Sequence, residues 1–246
     1  MCDFTIHQIR KSQFHTLIPL WTTCFPDDSS DYVANFMSSL PDDSVALVGR
    51  VGDSIVTMLT LLPARVTFRN KTLPVRYLYA GCTHPQHRGK GYYRQLMSAA
   101  ESSVRDMSEF AIYLHPADET LVNTYSRMGY QTGICGSKKA MHNPQLSADY
   151  KQKRYELLEM LSKDTVVWDL CNSIVDYFID DALKNGAFAS ITDTTATLAI
   201  GSMVIEHLAI QGTNETNTYC LWLPTQESPL SEWMTSYNGY TGLIGD

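Results

Sequence analysis

The sequence predicts an α/β protein in which a central sheet is flanked by helices and is followed by a smaller α+β domain. Segments with the strand period of two residues alternate with segments of helical period along residues 1 to 140. A polar stretch at 142–147 then precedes a region of two helical segments and several short strands. We therefore divide the 246-residue chain into domains at 1–147 and 148–246.

The first domain begins with a short strand that contains Phe4, Ile6 and Ile9. Apolar residues at helical spacing then predict helices over about 12–24 and 30–40, separated by the turn at 26–31. The elements that follow are predicted as strands at 45–51, 54–62, 65–68 and 75–83, a helix beginning at 92, a strand at 110–114 and a helix at 118–128.

The second domain is predicted to start with two helices, at 150–161 and 166–183. Four short strands follow, at 187–192, 195–200, 203–210 and 218–223. This part of the chain is acidic, because residues 149–246 contain 5 Lys and Arg against 14 Asp and Glu. We read it as a small acidic α+β domain.

The strand, glycine loop and helix at 75–104 organise the first domain. Gly89 and Gly91 lack Cβ atoms, so the loop can bring several backbone N–H groups close to one ligand at the positive end of the new helix. A Walker A loop is excluded because it needs a Lys directly after its second Gly, whereas here Gly91 follows Lys90. A dinucleotide-binding fingerprint is excluded because it needs a third Gly or Ala at the position of Arg94. The glycine loop is therefore predicted to bind a phosphate group, but as a loop of a different class from these two.

The pattern Gln86-x-x-Gly89-x-Gly91 after a strand resembles the acyl-CoA pyrophosphate loop of the GCN5-related N-acetyltransferases (GNAT). The resemblance implies a mixed, mostly antiparallel central sheet, and acetyl-CoA as cosubstrate. The residues that it assigns to cofactor binding here are Cys82, Thr83, Gln86, His87, Arg88, Gly89, Lys90, Gly91 and Tyr92. Cys82 could act as a nucleophile in acyl transfer, but its interpretation as a small buried residue of the strand is favoured.

A second motif, Asn123-x-Tyr125-x-x-x-Gly129-Tyr130, is similar to the one that follows the loop in this family. The resemblance implies that Asn123 contacts the cofactor and that Tyr125 is the general acid for the departing CoA thiolate. The competing interpretation of Tyr125 is an ordinary core tyrosine with a satisfied hydroxyl. The second domain resembles, by order and position alone, the reduced second acetyltransferase-like half of the enhanced-intracellular-survival enzymes.

The charge distribution excludes nucleic acid as a partner. The chain carries a net charge of −7, which would repel a polyanion. Residues 65–105 nevertheless contain eight Lys and Arg against Glu101 alone. A basic flank around the loop suits a multiply phosphorylated ligand such as CoA.

The cysteines and the hydropathy predict a cytoplasmic protein that contacts no membrane. The six cysteines lie far apart with no Cys-x-x-Cys, which gives no support to a metal site. No run approaches the roughly 20 apolar residues of a membrane span, and the first residues lack the order of a signal peptide. A homo-oligomer is left open.

An acyltransferase acting on an amine needs a base, because only about one Lys-like amine in a few thousand is neutral at pH 7. Many relatives carry a Glu near the pyrophosphate loop, but residues 75–84 contain no carboxylate. The candidates are His84, His115, a water chain, or the terminal carboxylate of Asp246, which the resemblance to the enhanced-intracellular-survival type suggests. Each His has a competing interpretation as a hydrogen-bonded residue at a strand end.

The acceptor is predicted to be a cationic amine. Residues 12–49 contain no Lys or Arg, yet Asp27, Asp28 and Asp31 stand in the connection between the first two helices. In the family this connection forms one wall of the acceptor cleft, so these carboxylates would attract a small-molecule or peptide amine. The competing interpretation is that Asp and Ser beside Pro26 are ordinary turn and helix-start residues.

Together these features predict an acyl-CoA-dependent N-acyltransferase, with acetyl as the acyl group and a primary amine that attacks directly. The rival hypothesis is a catalytically silent acyl-CoA-binding or sensing module that acts through a partner. The missing strand carboxylate favours the rival, and the intact Asn123 and Tyr125 motif favours the enzyme.

Overall fold

A computed structural model describes residues 3–136, 150–163, 166–185, 188–191, 195–200, 203–209, 218–226 and 239–241. A 3-10 helix at Lys11–Leu17 precedes the first α-helix. The helices are α1 (Ile18–Cys24), α2 (Ser30–Ser39), α3 (Tyr92–Asp106), α4 (Glu119–Ser126), α5 (Tyr150–Leu161) and α6 (Asn172–Lys184). The strands are β1 (Phe4–Ile9), β2 (Val45–Val51), β3 (Ser54–Phe68), β4 (Lys71–Thr83), β5 (Ala111–Leu114), β6 (Gln131–Gly136), β7 (Val166–Leu170), β8 (Phe188–Ile191), β9 (Thr195–Ile200), β10 (Met203–Ala209), β11 (Thr218–Pro224) and β12 (Gly239–Thr241).

The chain divides into two compact units whose segments interleave along the sequence. The first unit takes the described residues within 1–63, 75–114 and 225–227. The second takes those within 64–74, 115–224 and 228–246. The predicted division at 147/148 stays a prediction.

The first unit is a sheet with strand order β1-β2-β3-β4-β5. β1 with β2 and β2 with β3 are antiparallel, whereas β4 and β5 are parallel. The antiparallel pair β2 and β3 is joined by a tight turn in which Gly52 has a φ of 60°, a value that favours glycine. This mixed, mostly antiparallel sheet confirms the predicted fold class.

Helices cover this sheet through large apolar side chains. The rings of Trp21 on α1 and Phe36 on α2 lie 5.7 and 5.2 Å from the ring of Tyr79 on β4. α3 buries Leu96, Met97, Ala100 and Val104, which recur at helical spacing and form one face of the helix. Its first residue, Tyr92, stacks on Phe4 of β1 at 4.3 Å between centroids, which fixes where α3 begins.

Among its described residues, the second unit contains three groups of paired strands. β7 pairs antiparallel with the last residues of β3 and parallel with β12, and β11 pairs antiparallel with β6. β10, β9 and β8 form a separate three-stranded antiparallel sheet. A buried ion pair crosses this unit, because Arg154 on α5 donates two hydrogen bonds, of 2.7 and 3.2 Å, to Asp169 on β7.

Two predicted boundaries in the first 70 residues are wrong. The segment predicted as one helix at 12–24 is a 3-10 helix followed by α1, which starts afresh with Pro19 in its first turn, where the missing N–H has no intrahelical partner. The strands predicted at 54–62 and 65–68 are one strand, β3. Pro63 is tolerated within it because the pairing with β2 ends at Leu61 and the pairing with β7 begins at Ala64.

The helix predicted at 166–183 is also wrong. Its first five residues are the fully buried strand β7, and the helix α6 begins only at Asn172. A short apolar run that is buried on both faces has no period of its own, so its pattern does not distinguish a strand from a buried helix. Cys171 has extended backbone angles and separates the two elements.

Candidate functional site

The glycine loop of the first unit has the backbone conformation that its sequence predicts. Gly89 and Gly91 have φ values of 75° and 77°, in the left-handed region that side chains rarely adopt. A Cβ atom built on either glycine meets no atom within 4 Å, so the space above the loop is open. Gly91 is the N-cap of the 15-residue helix α3, whose first N–H groups have no partner inside the helix. The loop therefore fits a phosphate group, and a side chain on either glycine would fill the space.

Internal hydrogen bonds hold the loop in place. The Arg88 Nε donates to the carbonyl of Thr83 at 3.1 Å, and the His87 N–H donates to the carbonyl of His84 at 2.8 Å. Burial, followed by the charges of Lys90 and His84, lowers the pKa of His87, which disfavours the charged form of its ring. The positive charge beside the loop therefore comes from the exposed side chains of Arg88 and Lys90.

The strand before the loop contains a feature that the sequence analysis missed. β4 pairs with β5 only at Arg76 with Ile112 and at Tyr77 with Tyr113, although β4 continues to Thr83. Ala80 has a φ of 50°, which interrupts the regular alternation of the strand. The small pair Ala80-Gly81 in a run of aromatic and β-branched residues was the available signal. The last six residues of β4, from Leu78 to Thr83, thus form an edge without β5 beside it, next to the loop.

Cys82 and Thr83 lie on this free edge and are half-buried. The Thr57 hydroxyl donates to the carbonyl of Cys82 at 2.8 Å, and the Thr83 hydroxyl donates to that of Thr57 at 2.9 Å. A Cβ on Gly81 would lie 2.2 Å from the Tyr93 hydroxyl, so α3 approaches the strand closely here. The first unit therefore brings together all of the residues from Cys82 to Tyr92 that were predicted to bind the cofactor.

Asn123 and Tyr125 belong to α4, in the second unit. The Asp118 carboxylate caps this helix by accepting the N–H groups of Thr120 and Leu121 at 2.8 and 3.0 Å, and it also accepts the Thr120 hydroxyl. The bond from the Thr120 hydroxyl, followed by that from the Leu121 N–H, lowers the pKa of Asp118. Asn123 is exposed. Tyr125 is only 6% exposed, and its ring lies edge-on to that of Tyr130 at 5.7 Å. This environment suits both a shielded proton donor and a core tyrosine.

The three predicted acceptor carboxylates differ in their surroundings. Asp28 accepts a 2.7 Å hydrogen bond from the indole N–H of Trp21, so it supports the end of α1. Asp27 and Asp31 are exposed, and Asp31 lies in the first turn of α2. Burial, then the neighbours Tyr32, Tyr77 and Asp28, raises the pKa of Tyr79 well above its usual value. Asp28 therefore faces the aromatic residues of β4.

Two of the candidate bases, His84 and His115, lie in the described part of the chain. The His84 Nδ1 accepts the N–H of Gln86 at 3.3 Å, which requires that nitrogen to carry no proton. His115 follows the last residue of β5 and is half-buried. Asp246 lies outside the described residues. In the part of the chain that the structure describes, no group of three or more His, Cys, Asp or Glu is arranged to hold a metal ion, and no helix is both long and apolar enough to cross a membrane.

Comparison with solved structures gives the same fold at low sequence identity. A probable N-acyltransferase of unknown function from Enterococcus faecalis matches with a TM-score of 0.65 and 14% identity over 86% of this chain and 60% of its own. A GCN5-related N-acetyltransferase from Kribbella flavida matches with a TM-score of 0.62 and 15% identity over 96% of this chain and 68% of its own. Eis1 from Mycobacterium abscessus matches with a TM-score of 0.60 and 9% identity over 86% of this chain and 60% of its own.

Such identities establish the fold alone, and the chain spans about 60% of the length of the Enterococcus faecalis protein. No curated protein matches the sequence. The family model of the acetyltransferase (GNAT) domain matches residues 5–133, which is more than half of the chain. The chain therefore belongs to the GNAT acetyltransferase family, whose acyl donor is acetyl-CoA.

Proposed function

We propose that this chain transfers an acyl group, acetyl in the first instance, from acyl-CoA to a primary amine by direct attack. The observation that carries the proposal is the open loop formed by Gly89 and Gly91 at the start of α3, directly after a strand edge that β5 leaves free. A phosphate-binding loop at the end of a free strand edge suits a ligand with an anionic end and an extended arm that carries amide groups. CoA has both.

In this proposal each group of the site has one task. The N–H groups of the loop and the charges of Arg88 and Lys90 hold the pyrophosphate. The free edge of β4 offers backbone hydrogen-bonding groups to the extended arm. The thioester supplies the electrophilic carbonyl. The Tyr125 hydroxyl returns a proton to the leaving thiolate, and Asn123 contacts the cofactor.

A cationic acceptor is part of the proposal and rests on charge. Asp27 in the α1–α2 connection and Asp31 in the first turn of α2 are exposed carboxylates, and residues 12–49 contain no Lys or Arg. They would raise the local concentration of a cationic amine, an effect that salt weakens. Asp28 contributes less, because its carboxylate is already hydrogen-bonded to Trp21.

One observation favours the rival, a silent acyl-CoA-binding module. Neither β3 nor β4 carries an Asp or Glu, so neither strand offers a carboxylate base. His84, His115, a water chain and the terminal carboxylate of Asp246 remain the alternatives proposed for the base. His84 Nδ1 accepts from the Gln86 N–H, so Nε2 carries the proton of the neutral ring, and His84 can take up a second proton only at Nδ1 after that hydrogen bond opens.

The decisive experiment measures CoA-thiol release from acetyl-CoA with primary amines of matched size that are cationic, neutral or acidic. Acetyl-CoA binding is measured separately by calorimetry. The proposal expects amine-dependent release that is fastest with the cationic amines and slower at high salt. Tight binding with no release for any amine would support the sensing module, and the absence of binding would contradict both functions.

A further inference from the structure

Two cysteines that are far apart in the sequence meet at one place in the first unit. Cys24 is the last residue of α1, and Cys82 is the next-to-last residue of β4. α1 packs on β4 through Trp21 and Tyr79, whose ring centroids are 5.7 Å apart, three residues before each cysteine. The interrupted alternation at Ala80 lets Tyr79 and Cys82 face the same helix. The packing of α1 on β4 thus brings the two thiols together.

The two thiols are in contact with each other and with a cation. The side chains of Cys24 and Cys82 are neighbours, and the guanidinium group of Arg88 lies beside both. The interaction with Cys82, together with the charge of Arg88, lowers the pKa of Cys24 to about 7 although burial opposes this. The interaction with Cys24, followed by burial, raises the pKa of Cys82 although Arg88 opposes this. Cys24 is therefore the more readily ionised thiol of the pair.

Both side chains are half-buried, so a small reagent can reach the pair. Neither the proposed acyl transfer nor the packing of the core needs two thiols at this position. A thiolate held beside an Arg and next to a second thiol is the arrangement of a thiol that is oxidised first and then resolved by its neighbour.

We propose that Cys24 and Cys82 form a redox pair that takes a low-molecular-mass disulfide and closes a reversible bond between α1 and β4. The Cys24 thiolate attacks one sulfur of the small disulfide, which forms a mixed disulfide and releases one small thiolate, protonated by water. Cys82 then loses its proton to solvent and attacks the Cys24 sulfur, which releases the second small thiol. Two electrons pass from the cysteine pair to the small disulfide.

The new bond would join the end of α1 to the strand that leads into the glycine loop. It would also remove the thiolate that faces Arg88, a residue of that loop. The pair is therefore placed to act on the loop through β4. The chemistry of the pair does not depend on acyl transfer, so the two proposals fail separately.

The test treats the reduced full-length protein with oxidised glutathione and maps the thiols by mass spectrometry after tryptic digestion. Cys24 and Cys82 fall on separate tryptic peptides, 12–50 and 77–88, each with no other cysteine. The expected product is these two peptides joined, with the mass of two hydrogens lost, and it returns to separate peptides with dithiothreitol. Cys171 is the matched control, because it is also half-buried but hydrogen-bonds to Ser173 at 3.4 Å.

Two serine variants test the order of events, and a third, at Cys171, is the control. Cys82→Ser should accumulate the glutathione mixed disulfide on Cys24, because no neighbour resolves it. Cys24→Ser should react at least tenfold more slowly at Cys82, and Cys171→Ser should form the linked peptides at the wild-type rate. Circular dichroism spectra and melting temperatures confirm that the variants are folded. The proposal is overturned if wild-type protein yields no linked peptides, or if Cys24 reacts no faster than Cys171.

Discussion

The glycine loop and the α4 motif carry the two halves of the proposed chemistry, but their residues lie in opposite environments. Gly89 and Gly91 are exposed and adopt backbone angles that side chains disfavour, with open space above them. Tyr125 is buried against Tyr130 in a helix of ordinary geometry. Exposed glycine at positive φ has little structural reason beyond a turn or a ligand, whereas a buried tyrosine has a sufficient structural reason. The loop assignment is thus the stronger one.

The largest effect is expected for Gly91→Asp. The variant places a side chain and a negative charge where the phosphate would lie, so CoA binding should be lost in calorimetry while the protein stays folded. The matched control is Gly52→Asp, because Gly52 is also exposed, has a φ of 60° and lies in the turn between β2 and β3. Both variants carry a similar backbone penalty of about 1–2 kcal/mol. Equal CoA affinities in the two variants would remove the loop from the site.

Tyr125→Phe tests the other half of the comparison. Removing the hydroxyl alone should lower kcat by about 10²–10⁴-fold if Tyr125 is the general acid, with little change in the acetyl-CoA affinity. Tyr130→Phe is the control, because its ring packs on Tyr125 and is 3% exposed. A small and similar change in the melting temperature of both variants, with no change in kcat, would show that Tyr125 is an ordinary core tyrosine.

Arg154→Met tests whether the fold can be destabilised without a loss of CoA binding. Asp169 would lose two hydrogen bonds while 2% exposed, and Arg65 at 3.2 Å would be left as a partner. Removing one member of a buried pair typically destabilises by about 3–5 kcal/mol, and the partner left here favours the lower end of that range. We expect a melting temperature several degrees lower with CoA affinity preserved in the folded protein. A loss of CoA affinity matching that of Gly91→Asp would show that the second unit shapes the loop.

The smallest effect is expected for Asp27 and Asp31, the carboxylates proposed to attract the acceptor. Replacing Asp27 and Asp31 together by Asn should raise the KM of a cationic acceptor a few-fold, flatten its salt dependence and leave the acetyl-CoA KM unchanged. Asp53→Asn, an exposed acid in the β2–β3 turn, is the control. Asp28→Asn is made separately, since its effect includes the bond to Trp21. An acceptor KM equal to that of the Asp53 variant would leave these carboxylates as turn residues.

Several features of this protein were determined by its sequence alone. The spacing of Gln86, Gly89 and Gly91 predicted the loop conformation, because only glycine adopts those backbone angles easily. The helical stripe of α3 and the helices at 30–39 and 150–161 followed from periodicity, because each buries one face. These are local properties, which neighbouring residues decide.

The tertiary structure decided what depends on partners distant in sequence. Residues 166–170 form a strand because β3 and β12 pair with their backbone groups. Pro63 lies within β3 because the pairing of β3 with β2 ends before it and the pairing with β7 begins after it. Asp28 became a support for Trp21 rather than a free carboxylate. Cys24 and Cys82 are 58 positions apart, and only the packing of α1 on β4 made them a pair. Sequence patterns report burial and backbone preference, but they carry no information about which buried or half-buried groups meet.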